Sequence, residues 1–157
     1  MANISDICNE LFEIKARFSS VLQQSKYTEY DDLSGLDINY EDPEELLLVD
    51  ELRGVLEKIE RIHSDLSYLQ RSVKYTGQLH KNFQGRYELD NGHYFTSGSC
   101  IEVLLCDETY QTYDENDNTV SHPYWTVTSI EHDQTDYYLV GHKNVKLEGL
   151  TARIRKL

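Results

Sequence analysis

The feature that most constrains the fold is the run from Asp42 to about Lys74, which predicts one long α-helix. Asp42 can cap the first turn, Pro43 suits the first helical position, and Glu45 stands where a capping-box acid is found. Further along, apolar residues recur in steps of three and four: Leu52, Leu56, Ile59, Ile62, Leu66, Leu69 and Val73. So narrow an apolar stripe requires a partner helix to cover it.

An earlier segment predicts that partner helix. It has the same spacing of apolar residues, with Asn3 or Ser5 available as a cap: Ile4, Ile7, Leu11, Ile14, Phe18 and Val21. The economical arrangement is a coiled-coil-like antiparallel hairpin. In it, the first helix would pack on the second through Ile7, Leu11, Ile14 and Phe18 against Leu52, Leu56, Ile59, Leu66 and Leu69. Self-association is the alternative, and a homodimer built on the hairpin stays open.

After Thr76-Gly77 the periodicity changes from helical to strand-like. The candidate strands are Arg86 to Leu89, Ser99 to Leu105, Thr109 to Tyr113, Trp125 to His132, Tyr137 to Val140 and Thr151 to Ile154. Ile101, Val103 and Leu105 share one strand face and predict a core. The expected remainder of that core is Trp125, Val127, Ile130, Tyr138, Val140 and Ile154.

These patterns predict an α+β chain of two parts. A helical hairpin with an acidic connecting loop is expected over residues 1–75, followed over residues 76–157 by a small antiparallel β-barrel, closed or half-closed, with an acidic hairpin insertion. The chain is long enough for one domain, or for one small domain with a helical extension.

Two segments concentrate negative charge in a chain whose formal net charge is −13. Residues 29–51 hold ten carboxylates and residues 87–142 hold eleven, and neither segment contains a Lys or Arg. Such local acidity is typical of a surface that meets a basic partner, although a solvated face is the simpler interpretation. The candidate partner-binding residues are Glu29, Asp31, Asp32, Asp37, Glu41, Asp107, Glu108, Asp114, Glu115 and Asp117.

The first of these segments can be explained only in part by helix formation. A helix macrodipole favours acids in its first turn, which accounts for Asp42, Glu44 and Glu45. It does not account for the carboxylates that precede the helix among tyrosines, the residue type that often anchors protein interfaces. A partner surface and a solvated loop are about equally good interpretations of that part.

No motif in the sequence indicates catalysis or a cofactor. Asp114-x-Asn116-x-Asn118 resembles the start of a calcium loop, but Thr119 and Trp125 stand where that loop needs Gly and Glu. Three cysteines without C-x-x-C spacing, and six histidines without an H-x-x-x-H pair, disfavour a zinc site or a disulfide framework. We therefore expect a non-enzymatic protein with no metal and no cofactor.

The sequence also favours a particular compartment. No apolar run approaches the ~18 residues of a membrane span, and no leader pattern is visible. We expect a cytoplasmic protein without membrane attachment. Its negative charge disfavours direct binding to nucleic acid.

The order of motifs in the second half resembles a small bacterial family labelled as a domain of unknown function (number 5348). The resemblance covers about Gly77 to Leu157 and rests on these segments: Gly85-Arg86-Tyr87-Glu88-Leu89, Ser97-Gly98-Ser99, Ile101-Glu102-Val103-Leu104, Trp125, Ile130-Glu131-His132, Tyr137-Tyr138-Leu139-Val140-Gly141, Leu150 and Arg153-Ile154-Arg155. The family implies a compact SH3-like β-domain from bacteria, phages or other mobile elements, with no established activity. The acidic hairpin Asp107 to Asp117 and the segment Val120 to Tyr124 depart from its pattern.

Three function classes remain, of which an enzyme is the least favoured because no site constellation is visible in the sequence. The favoured one is an acidic inhibitor, encoded by a phage or other mobile element, that occupies the basic groove of a nucleic-acid-binding protein in an anti-CRISPR-like manner, by DNA mimicry. A CRISPR effector nuclease would be a natural target. The alternative is a general protein–protein adaptor or self-associating module without DNA mimicry.

Overall fold

The chain divides into two compact units, Met1–Arg71 and Ser72–Leu157. This division is seen in a computed structural model that describes residues 1–27 and 33–157. The first unit contains helices and the second contains an antiparallel sheet, so the α+β layout predicted from the sequence is confirmed. The division falls slightly before the predicted boundary between residues 75 and 76.

The first unit contains two long helices, α1 (Ile4–Ser25) and α2 (Pro43–Gln70). The Asn3 side chain caps α1 by accepting from the Ser5 N–H at 2.9 Å, and Asp42 caps α2 by accepting from the Glu44 N–H at 3.0 Å. The second helix ends at Gln70, not near Lys74 as predicted. The backbone beyond it pairs with the last strand of the chain, and this pairing replaces helical hydrogen bonds.

The two helices contact each other in an antiparallel hairpin, as predicted. Lys15 Nζ donates to the Gln70 side-chain oxygen at 2.7 Å, and Ser19 Oγ lies 2.6 Å from His63 Nε2. Leu22 packs in one buried cluster with Leu56, Tyr27 and Leu33. As residue numbers rise along α1, those of the partners fall along α2.

The predicted contact residues of the hairpin are partly wrong. Leu56 and Leu66 are buried and Ile59 and Phe18 are half-buried, but the remaining predicted contacts are exposed: Ile7, Leu11, Ile14, Leu52 and Leu69. The contact side of α1 lies one residue further along, at Lys15, Ser19 and Leu22. The helices thus meet partly through polar pairs, which an analysis of apolar spacing does not detect.

The second unit contains a six-stranded antiparallel sheet and a separate two-stranded hairpin. In the sheet the strands follow the order β2-β1-β8-β3-β6-β7, and β4 pairs with β5 alone. The strand bounds are β1 Val73–Lys81, β2 Tyr87–Leu89, β3 Ser99–Leu105, β4 Gln111–Tyr113, β5 Thr119–Ser121, β6 Tyr124–His132, β7 Tyr137–Leu139 and β8 Thr151–Arg155. The sequence predicted six of these strands and missed β1 and β5.

The core of the second unit lies on one face of the sheet. Ile101, Val103, Leu105 and Ile130 are buried there as predicted. They are joined by buried side chains that were not predicted: Leu79, Tyr87, Leu89, Phe95, Leu139, Leu147 and Ala152. Tyr138 is half-buried, and Ile154 packs against the core from a half-buried position.

Three predicted core positions lie elsewhere. Val127 is 49% exposed and Val140 is 44% exposed, so their assignment to the core is wrong. Trp125 is half-buried and stacks against the Arg153 guanidinium, whose carbon lies 4.0 Å from the ring centroid. Side chains alternate along a strand, so Ile130 and Val127 cannot both face the core.

The outer strands of the sheet, β2 and β7, approach each other through side chains. The Tyr87 and Tyr137 rings meet edge to face with centroids 6.4 Å apart, and Lys81 Nζ lies 2.8 Å from an Asp136 carboxylate oxygen. No ladder pairs β2 with β7 in the described residues. Closure into an SH3-like barrel therefore stays a prediction.

Candidate functional site

The candidate site is the β4–β5 hairpin with its flanks, residues 106–123, which we call the acidic arm. Every residue in this range is exposed, and β4 pairs with β5 from Gln111↔Ser121 to Tyr113↔Thr119. All five carboxylates that the sequence predicted for the second segment lie in it: Asp107, Glu108, Asp114, Glu115 and Asp117. The structure therefore brings these five residues into one exposed element.

The tip of the acidic arm is shaped by one of its own carboxylates. Asp114 Oδ1 accepts from the Asn116 N–H at 2.8 Å and the Asn118 N–H at 2.9 Å, while Oδ2 accepts from Asn118 Nδ2 at 3.1 Å. These bonds from Asn118 and Asn116 hold the pKa of Asp114 below its ordinary value. Asp117 takes a left-handed conformation with φ of 60°, which Asp tolerates better than most residues. Asp114 thus organises the turn.

The base of the acidic arm is fixed by a second carboxylate. Asp107 accepts from the Thr109 N–H at 2.9 Å and from the Tyr124 hydroxyl at 3.0 Å. The Thr109 hydroxyl and amide, with the Tyr124 hydroxyl, hold the pKa of Asp107 below its ordinary value. The Tyr110 ring packs edge to face on Tyr124 at 4.9 Å between centroids. Asp107 therefore has a structural role and is ionised at neutral pH.

The other three carboxylates of the acidic arm are available to a partner. Glu108, Glu115 and Asp117 are exposed, and their side chains make no hydrogen bond or ion pair with any residue that the structure describes. Tyr110 and Tyr113 beside them are 59% and 76% exposed. Tyrosine and unpaired carboxylates are groups that a basic protein surface can bind.

Three carboxylates of the sheet unit are arranged differently, because cations lie against them. Glu102 accepts from Arg153 Nε at 3.1 Å and from Arg155 Nε at 2.9 Å. Burial alone would raise the pKa of Glu102, but the hydrogen bonds from the two arginines lower it below the ordinary value. Asp136 pairs with Lys81, and Asp133 lies 3.5 Å from Lys143 Nζ. Within residues 33–157, no Lys, Arg or His forms an ion pair with a carboxylate of the acidic arm.

The first predicted acidic segment is described only in part. Glu29, Asp31 and Asp32 lie outside the described residues. Asp37 and Glu41 are exposed and belong to the helical unit, whereas the acidic arm belongs to the sheet unit. Neither forms an ion pair with another described residue. The partner-binding role of this segment stays a prediction.

The described residues show no alternative chemical centre. In residues 1–27 and 33–157, no three His, Cys, Asp or Glu side chains are grouped as they would be around a metal ion. Neither described helix is both long enough and apolar enough to cross a membrane. Ser19 and His63 form a close pair in an open groove between α1 and α2. Among the described residues, no second side chain hydrogen-bonds the His63 ring, as the orienting group of a nucleophile–base system would.

The sequence did not reveal all the features of the site. Strand β5, which completes the acidic arm, was missed, and Tyr110 and Tyr113 were not singled out. The signal was present, because Asp114-Glu115-Asn116-Asp117-Asn118 is rich in turn-forming residues and is followed by Thr119-Val120-Ser121. Three residues are a weak strand signal when no buried side chain marks an inward face.

Comparison with known proteins gives one match. The family model described as "Domain of unknown function (DUF5348)" matches residues 77–154, which include the sheet from within β1 to Ile154 and the whole acidic arm. No curated protein and no solved structure matches the chain. The C-terminal half of this chain therefore resembles the DUF5348 family.

Proposed function

We propose that this chain is a non-enzymatic binding protein whose acidic arm occupies the basic groove of a nucleic-acid-binding protein and excludes the nucleic acid. One observation carries the proposal. Glu108, Glu115 and Asp117 stand exposed without a cation, while Glu102, in the same unit, is held by two arginines. Within the sheet unit, these three unneutralised carboxylates thus lie in one exposed element.

The electrostatics of the acidic arm suit such a groove. Duplex DNA presents one negative charge per ~1.7 Å of its axis, and proteins bind it largely through Lys and Arg that neutralise phosphates. Five carboxylates within residues 107–117 offer the same cations a compact alternative. Because Asp107 and Asp114 have lowered pKa values, they keep their negative charge well below neutral pH.

Two finer parts of the proposal rest on the sequence. The resemblance to a mobile-element family makes a host defence nuclease, such as a CRISPR effector, one suitable target. An SH3-like barrel would serve as a rigid base for the acidic arm, and the contact between Tyr87 and Tyr137 across the outer strands supports such curvature. Neither part is needed for the acidic arm to bind a basic groove.

The test uses bacterial proteins that have been purified by retention on DNA-cellulose. The full chain is immobilised, and retained proteins are challenged with duplex DNA and with rising salt. The wild-type chain is compared with three variants in which amides replace carboxylates. The first alters the acidic arm: Glu108→Gln/Glu115→Gln/Asp117→Asn, Asp37→Asn/Glu41→Gln, and Asp6→Asn/Glu10→Gln/Glu13→Gln. The third variant is the control, because it removes as many charges from exposed positions of α1.

We expect the wild-type chain to retain a protein that duplex DNA displaces and that elutes as salt rises. The arm variant should lose this retention, and the control should keep it. Loss in the Asp37/Glu41 variant instead would move the site to the first acidic segment. The proposal would be refuted if the wild-type chain retained no protein, or if the arm variant and the control lost retention equally.

A further inference from the structure

An open pocket lies at the base of the acidic arm, where β5 leads into β6. Its volume is about 360 Å³, near the lower end of the ~300–1,000 Å³ that ligand sites enclose. The pocket, which we call the aromatic pocket, is lined by Tyr110, Gln111, Thr112, His122, Pro123 and Tyr124. A space of this size suits a single long side chain of a partner.

Hydrogen bonds hold the tyrosine walls of the aromatic pocket in place. The Tyr110 and Tyr124 rings lie with their centroids 4.9 Å apart and their planes 69° apart, so they form a corner and not a stack. The Tyr124 hydroxyl lies 3.0 Å from an Asp107 carboxylate oxygen and 3.1 Å from the Thr109 hydroxyl oxygen. The corner is therefore formed before a partner binds.

A second set of bonds fixes the strands around the aromatic pocket. The His122 N–H donates to the Tyr110 carbonyl oxygen at 2.8 Å, and His122 Nε2 lies 2.7 Å from the Thr112 hydroxyl oxygen. The Gln111 side-chain amide donates to the Ser121 hydroxyl oxygen at 3.2 Å. A preformed site loses less conformational entropy on binding than a site that must first be ordered. The aromatic pocket can thus accept a side chain without rearranging.

The charge around the aromatic pocket is negative. The Asp107 carboxylate is tied to Tyr124 in the pocket wall, and exposed Glu108 follows it without an ion pair to any described residue. Residues 87–142 contain no Lys or Arg. The faces of aromatic rings also carry negative electrostatic potential. The rings and the carboxylates therefore both favour a cation in the pocket and disfavour an anion.

The sheet of the same unit shows which cation completes such a set of groups. The Arg153 guanidinium carbon lies 4.0 Å from the centroid of the Trp125 ring, and Arg153 Nε lies 3.1 Å from a Glu102 carboxylate oxygen. One arginine there contacts both an aromatic ring and a carboxylate. The aromatic pocket has its rings and the Asp107 carboxylate, but no described Lys or Arg lies over either tyrosine ring. The arginine is the member of the set that a partner would supply.

On the basis of the function proposed above, we propose that the aromatic pocket receives one arginine side chain of the basic protein that the acidic arm binds. The guanidinium lies against the Tyr110 and Tyr124 rings, beside the Asp107 carboxylate. Arginine suits this position better than lysine, because its planar and weakly hydrated guanidinium can stack on a ring while its edge donates to a carboxylate. The pocket gives the acidic arm a preference for arginine that carboxylates alone do not provide.

Capped peptides with one charged residue test the aromatic pocket without the basic protein. Acetyl-Gly-Arg-Gly-amide and its lysine and citrulline counterparts are titrated into the full ¹⁵N-labelled chain, and amide chemical shifts are recorded. We expect the arginine peptide to shift the amides of Gln111, Thr112 and Tyr124 in a saturable way. It should bind at least about threefold more tightly than the lysine peptide. The citrulline peptide should bind most weakly, because citrulline has the shape of arginine without its charge.

Substitutions that preserve the net charge separate the aromatic pocket from the general field of the acidic arm. Tyr110→Leu removes a ring that is 59% exposed and keeps an apolar side chain, so the fold should persist. It should weaken binding of the arginine peptide by about fivefold, as the loss of one cation–π contact would. Tyr110→Phe keeps the ring and should bind like the wild type. Tyr113→Leu is the matched control and should also bind like the wild type, because Tyr113 is an exposed tyrosine of the same arm outside the pocket.

Three results would overturn the assignment of the aromatic pocket. They are the absence of a saturable shift at its amides, equal affinities for the arginine and lysine peptides, and equal weakening by Tyr110→Leu and Tyr113→Leu. The two proposals can also fail separately. If the arginine peptide binds in the pocket but the chain retains no protein from DNA-cellulose, the proposed function fails alone. A protein that the wild type and Tyr110→Leu retain equally would overturn the role of the pocket and leave the proposed function standing.

Discussion

The sheet and the acidic arm of the C-terminal unit differ in whether their carboxylates are paired with cations. On the sheet, the Glu102 carboxylate is nearly inaccessible and is shared by Arg153 and Arg155. On the arm, Glu108 and Glu115 stand in solvent without a cation. A buried carboxylate must be neutralised within the fold, whereas an exposed one can remain unpaired until another molecule supplies the cation. The contrast indicates which carboxylates serve stability and which are free for binding.

The largest expected effect comes from the sheet. Glu102→Gln removes the buried carboxylate that Arg153 and Arg155 share, and it should lower the free energy of unfolding by about 3 kcal/mol. Urea denaturation at neutral pH measures this change. Glu115→Gln is the matched control on the arm and should leave the urea midpoint where it is. Equal urea midpoints for the two variants would contradict the claim that the Glu102 carboxylate stabilises the fold and the Glu115 carboxylate does not.

The contribution of Glu102 to stability should also depend on pH. Because the pKa of Glu102 in the folded chain lies below its ordinary value, its stabilising contribution is present above that value and is lost as pH falls toward the folded-state pKa. The gap in unfolding free energy between wild type and Glu102→Gln should therefore narrow once the pH drops below about 4.5. Urea titrations at a series of acid pH values measure the gap. A constant gap would show that the ion pairs of Glu102 are not its source.

A smaller and local effect is expected at the tip of the arm. Asp114→Ala removes three hydrogen bonds that shape the turn, so the Asn116 and Asn118 amides should exchange faster with deuterium. Glu115→Ala, one residue further, should leave these rates unchanged. The core amides of β3 and β6 should be insensitive to both substitutions. Slower exchange in Asp114→Ala would mean that the carboxylate strains the turn.

We expect the smallest effect on stability from the variant of the acidic arm that should weaken binding most. The triple change Glu108→Gln/Glu115→Gln/Asp117→Asn removes no hydrogen bond or ion pair to any described residue. Thermal unfolding should therefore match that of the wild type. A clear loss of stability would place these three side chains among the structural ones, together with Asp107 and Asp114.

Local patterns predicted much of the fold. Helix caps located the start of α2 at Pro43, and the alternation in Ser99–Leu105 predicted β3 with the bounds that the structure shows. The end of α2 was wrong because Val73 continues the helical spacing although it pairs with Arg155 in the sheet. A tertiary pairing of this kind overrides a local pattern and cannot be derived from it.

Which sides of the elements would pack was harder to predict. Apolar spacing in α1 indicates a row through Ile7 and Leu11, yet the helices meet one residue further along, through Ser19 and Leu22. The sequence likewise marked five carboxylates in the arm but could not separate Asp107 and Asp114, which accept hydrogen bonds, from the three that do not. Composition counts charges, whereas their roles depend on which donors the fold brings near.

The most direct test of the central claim is the affinity of the full chain for a protein retained from DNA-cellulose, measured across a salt series. We compare the wild type, the arm triple variant and the Asp6/Glu10/Glu13 variant, which has the same net charge as the arm variant. We predict that affinity falls steeply with salt, that the arm variant binds at least about tenfold more weakly, and that the α1 variant binds like the wild type. Equal affinities for all three proteins would contradict this prediction.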